Sequence, residues 1–154
     1  MTATTRDNVS LGNAGIAEGT NANTYKTSNI LHYRIGGQAY VKAATDNVAF
    51  AARSGTSFTA LTASKVSVFF VLIDAAGTLV MRQSAVKDSA TAQTYQAGAF
   101  EWPAEEDNYA VIGAIKVATN ASGAFTATST DLGASNQTVT YFNAAGDYGV
   151  PITY

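Results

Sequence analysis

This chain of 154 residues predicts an all-β fold: an antiparallel β-sandwich or partly closed barrel with an extended N-terminal arm. Three observations carry that expectation. Apolar and polar residues alternate with period 2 on either side of the Gly36–Gly37 pair. Two runs, 66–73 and 109–117, are dense in β-branched and aromatic residues. No segment sustains the 3.6-residue period of a long amphipathic helix. About seven or eight short strands separated by Gly, Asn, Asp and Ser turns describe a sheet-on-sheet protein.

Residues 1–28 differ from the rest of the chain. Thr, Asn, Ala and Gly dominate, and after Val9 the only large apolar side chains are Leu11, Ile16 and Tyr25. So little apolar surface cannot offset the entropy of ordering the segment by itself. Fully extended at about 3.3 Å per residue it reaches up to ~90 Å, enough to cross a subunit boundary. The segment is therefore expected to be an arm, docked on a neighbouring subunit or folded back on its own domain, with residues 29–154 as the β-domain.

From Ile30 the strands begin. Leu31, Tyr33 and Ile35 alternate with His32 and Arg34, Gly36–Gly37 supplies a two-residue turn, and residues 38–43 run back, which predicts a hairpin. Residues 48–51 form a short strand candidate. The run Val66-Ser-Val-Phe-Phe-Val-Leu-Ile73 predicts a strand buried on both faces, Val66, Val68, Phe70 and Leu72 toward one layer and Ser67, Phe69, Val71 and Ile73 toward the other. Asp74–Thr78 turns it into a strand over 79–82. Residues 84–99 are ambiguous: Val86, Ala90 and Ala97 sit roughly on one helical face, while Ser, Thr and Gln make a loop nearly as good a reading. Tyr109–Val117 predicts a second long strand, with Gly113 marking a bulge or a close backbone approach. Strands over 125–130 and 138–142, with turns near Ser122–Gly123 and 133–136, complete the set.

Composition restricts the chemistry. One His, no Cys and 13% charged residues leave few of the groups from which acid–base, nucleophilic or metal catalysis is built. A net charge of −2 gives no basic footprint for nucleic acid and no polybasic face for anionic lipid. The first residues show no basic region followed by an apolar run, and the longest apolar stretch is far short of the ~20 residues that span a bilayer. Neither a signal peptide nor a membrane span is expected. No nucleotide loop, zinc signature or EF-hand spacing occurs, so no cofactor or metal is expected.

Individual residues read in the same way. His32 lies inside a strand with no nucleophile motif beside it and is expected at a surface or interface. Glu101, Glu105, Glu106 and Asp107 form an acidic cluster around Trp102 and Pro103; a solvated loop explains them, with a cation or partner contact as the alternative. Tyr33, Tyr40 and Tyr109 fall within strands and are expected to pack. Tyr95, Trp102, Tyr148 and Tyr154 fall in loops or the tail, where an aromatic ring with a wet polar end suits a contact. The candidate partner contacts are thus Leu11, Ile16, Tyr25, Trp102, Tyr148 and Tyr154. Asn-x-Ser/Thr triplets at Asn8, Asn120 and Asn136 are expected by chance in so Asn- and Thr-rich a chain.

Taken in order, Tyr33-Arg-Ile-Gly-Gly-Gln-Ala-Tyr40, Ile73-Asp-Ala-Ala-Gly-Thr78, Val111-Ile-Gly-Ala-Ile-Lys-Val117 and the segment from Phe125 through Ser129-Thr-Asp-Leu132 to Thr-Val-Thr-Tyr141 resemble small virion proteins of tailed bacteriophages. The resemblance covers about residues 30–142. It implies a non-enzymatic capsid decoration (cement) protein on the outer surface of a virion assembled in the host cytoplasm. Such a protein would bind the major capsid protein or neighbouring virion subunits as a homo-oligomer, with a trimer favoured. The alternative it implies is a fibre or tail-associated module that recognises host glycans through Trp102 and nearby Tyr residues. No catalytic or ligand residue carries over.

Overall fold

The computed structural model describes residues 7–89, 100–103, 107–147 and 152. Within them lie β1 (Val9–Ser10), β2 (Ile16–Glu18), β3 (Thr24–Thr27), β4 (Leu31–Ile35), β5 (Gln38–Lys42), β6 (Thr45–Ala49), β7 (Lys65–Asp74), β8 (Leu79–Gln83), β9 (Lys87–Asp88), β10 (Tyr109–Thr119), β11 (Gln137–Asn143) and one helical turn, α1 (Ala144–Asp147). They form three antiparallel sheets: β1-β4-β5, β2-β3-β6, and β11-β10-β7-β8 with β9 also paired to β7. The fold is all-β and sandwich-like, and none of the three sheets closes into a barrel.

The two long apolar runs become the centre of the largest sheet. Every residue of β7 between its ends is buried, and its two faces serve different cores. Phe69, Val71 and Ile73 pack with Leu31, Tyr33 and Ile35 of one small sheet and Ile16 and Tyr25 of the other; Val66, Val68 and Phe70 pack with Phe100, Ala114, Ala118 and Ile152 on the opposite side. The alternation expected for residues 66–73 is the alternation found. Phe50, Phe69 and Phe125 meet edge to face at 5.4–6.0 Å in the main core, a geometry that aligns ring edges with π-faces. Phe100 and Ile152 form an antiparallel bridge that covers the second core.

β10 changes phase along its length. Its register against β7 slips between Val111 and Gly113, so Ile112 is an extra residue. The bulge lets Ala110 and Ile112 before it and Ile115 and Val117 after it all face the main core. At Gly113 a Cβ would run into the Ile16 side chain and the Phe142 carbonyl, so the close approach needs glycine. Both alternatives expected at this glycine are present together.

Three expectations are corrected or narrowed by the fold. Residues 125–130 do not form a strand: Phe125 makes a bridge to Leu61, and the chain then turns, with the Ser129 and Thr130 amides both donating to the Thr126 carbonyl and the Thr126 amide to Thr130 Oγ1. Hydroxyl side chains offered the backbone partners that a ladder would otherwise supply. Residues 7–28, read as part of an arm docked on a neighbour or folded back on its own domain, lie on their own domain: they contribute β1, β2 and β3 to two sheets and bury Ala14, Ile16 and Tyr25. Pairing to β4 and β6 supplies the order that the segment's own composition could not. Of the ambiguous stretch 84–99, Lys87–Asp88 pairs with β7, while 90–99 lies outside the described residues.

Candidate interaction surface

The β4–β5 hairpin is built as its alternation dictates. Gly36 and Gly37 take φ of 54° and 78°, the positive values a two-residue hairpin turn requires, and five consecutive pairs run from Ile35↔Gln38 to Leu31↔Lys42. Leu31, Tyr33 and Ile35 point inward and are buried, with Tyr33 stacked on Tyr40 at 5.5 Å and donating its hydroxyl to the Asp74 carbonyl. The other parity points outward. Ser10 pairs with Tyr33, and the Leu11 amide donates to the His32 carbonyl at 2.8 Å, so Leu11 continues the register beside His32. Across the hairpin His32 pairs with Val41.

The outward face therefore carries a cross-strand row, Leu11–His32–Val41, with Ile30 and Arg34 two residues to either side of His32. Leu11, Ile30 and Val41 are 54%, 64% and 62% exposed, and they are the exposed large hydrophobic side chains of the described residues. Register places Leu11 and Val41 beside His32, and strand alternation places Ile30 on the same face. The partners of Arg34 in the ladder, Val9 and Ala39, are small or apolar, and Arg34 Nε is covered without a hydrogen-bond partner. Between the strand ends the face has no carboxylate; Asp7 stands beyond β1 at the hairpin end.

Of the residues expected to make contacts, Leu11 lies on this face. Ile16 and Tyr25 do not reach a surface: both are in the main core, Ile16 against Gly113 and Tyr25 edge-on to Phe50. Trp102 is half-buried against Phe70, with ring centroids 5.8 Å apart, and helps close the second core. Tyr95, Tyr148 and Tyr154 lie outside the described residues. His32 is exposed, as expected. Ile30 and Val41 were missed, although the hairpin register alone puts Val41 opposite His32 and the alternation puts Ile30 on the same side.

Other places offer less chemistry. A shallow cleft of about 520 Å³ is lined by Asp7, Asn8, Ile35, Gly36, Asp107 and Asn108. Asn8 Oδ1 there accepts from the Gly36 amide, a structural use of the first Asn-x-Ser triplet. Glu105 and Glu106 of the acidic cluster lie outside the described residues, among which no three His, Cys, Asp or Glu side chains are grouped to hold a metal. A second cleft, of about 260 Å³, is lined by Ser64, Ser89, Thr119, Asn120, Gln137 and their neighbours and contains no ionisable group. His32 has apolar cross-strand neighbours on both sides, so no nucleophile–base pair forms across its row. No described helix is long and apolar enough to cross a membrane.

Comparison of the chain with protein-family models, with curated proteins and with solved structures finds no match.

Proposed function

We propose that this chain is a structural protein of a tailed-phage virion, a capsid decoration protein that binds and stabilises the assembled shell as a homo-oligomer, with a trimer favoured. The observation that carries the reading is the outer face of the β1-β4-β5 sheet, where Leu11, Ile30 and Val41 are exposed together. Exposed apolar side chains gathered on one face mark a surface made for a partner. Weak contacts of this kind gain strength when many symmetry-related copies bind a repeating surface. The sequence resemblance points to the same class of protein.

The fibre reading loses its main candidate, because the Trp102 ring is engaged with Phe70 and partly covered. Imaging of purified particles tests the proposal. Regular density over the shell, absent from particles made without this chain, is the expected result; density confined to the tail or to projecting fibres overturns it.

A further inference from the structure

We infer that the outer face of the β1-β4-β5 sheet takes a protein surface that is apolar and carries a carboxylate placed to meet Arg34. The inference rests on the shell-binding reading and names the chemistry of the partner at that contact.

The apolar part follows from Leu11, Ile30 and Val41. Each exposes more than half of its area on one side of one sheet, and covering such side chains is what drives association. The charged part follows from Arg34. It is half-buried and pairs with Val9 and Ala39 in the ladder, neither of which can accept a hydrogen bond through its side chain, and its covered Nε has no acceptor. A partner that covers the row Leu11–His32–Val41 also removes water from the part of the side chain still exposed. Desolvating an unpaired guanidinium is strongly unfavourable unless an acceptor replaces the lost water, and a carboxylate matches the guanidinium fork best.

The same argument decides against a second copy docking through the same face. That face has Arg34 but no carboxylate between its strand ends, so two of them would bring guanidinium groups together without counter-charge. The occupant is therefore a different surface, and under the proposed function it belongs to the shell subunits.

Shells assembled without this chain serve as the probe, with the purified full chain added back and bound protein measured by co-sedimentation. Wild type is expected to bind, and Val41→Asp and Leu11→Asp are expected to lower affinity by about tenfold or more, as loss of an apolar anchor does. Arg34→Gln should lower it by a similar factor, and Arg34→Lys should recover part of the loss. Val41→Thr, which keeps the shape of the strand residue, provides the milder variant; unchanged melting temperature and circular dichroism show that each variant folds.

If wild type fails to bind the shells, the function itself is overturned. If wild type binds and the Val41 and Leu11 variants bind equally well, shell binding stands but this face is not the contact. If only the Arg34 variants bind like wild type, the carboxylate assignment is wrong. A Val41→Asp chain that changes oligomeric state in free solution identifies a second copy as the occupant and overturns the inference.

Discussion

At the scale of single residues, burial separates positions that composition treats alike. Phe70 and His32 both sit in the middle of strands, yet Phe70 is 4% exposed against Trp102 while His32 lies on the open face. Phe70→Ala should cost about 3–5 kcal/mol, the usual penalty for a truncated core aromatic ring. His32→Ala should change stability by no more than about 0.5 kcal/mol. Denaturant unfolding of the two variants measures both, and a severe His32→Ala would contradict the exposed placement. Gly113→Ala is a different kind of test, because the new methyl would meet the Phe142 carbonyl, a backbone atom that cannot rotate away, as well as Ile16. It should destabilise by about 1–3 kcal/mol, the range for overpacking, and Ile16→Val in the same chain should relieve only the side-chain part.

Among the elements, legibility followed locality. The β4–β5 hairpin was readable because two glycines and a period of 2 fix both turn and register. β7 was readable because an apolar run interrupted only by Ser67 suits a strand covered on both sides. β10 was readable in type, and Gly113 in role, but the slip in phase at Ile112 depends on what β7 and Ile16 place opposite. β1, β2 and β3 were not readable, since Val9, Ile16 and Tyr25 are too sparse to show a period; β1 and β3 are ordered by partners 20 or more residues away, Arg34 for Val9 and Val48 for Tyr25, and β2 is ordered through its pairing with β3. The exposed apolar face was half legible: Leu11 stands out in the sequence, whereas Ile30 and Val41 acquire meaning only when the register sets them around His32. These N-terminal strands also change what a truncation should do. A chain beginning at Asn29 loses β1 to β3 and uncovers the core beside Phe50 and Gly113. It is expected to lose its cooperative thermal transition, and a truncated chain that melts sharply within a few degrees of wild type would show that the segment is dispensable.

On the scale of the whole molecule, electrostatics should matter little near neutrality and a great deal in alkali. The chain has few charges, and the ion pair between Lys65 and Asp88 is exposed, where such pairs contribute little. The sensitive groups are phenols. Burial pushes the Tyr141 hydroxyl up from 10.0 to about 12, with the Glu18 carboxylate adding to the shift, and burial alone raises Tyr25 further still. Neither hydroxyl has a hydrogen-bond partner. A phenol whose pKa is raised on folding holds its proton more tightly in the native state than in the unfolded chain. Its contribution to stability is whole below about pH 10, where both states are protonated, and is lost as pH rises from there through the folded value. Thermal melts should therefore be nearly flat from pH 6 to 9, roughly the range in which no buried phenol titrates, and fall steeply above pH 10. Tyr25→Phe removes a buried hydroxyl that gains nothing from the protein, so it should raise stability at neutral pH by about 1 kcal/mol and flatten the alkaline fall. If Tyr25→Phe is instead destabilising at pH 7 and leaves the alkaline limb unchanged, the Tyr25 hydroxyl has a partner and the alkaline loss originates elsewhere.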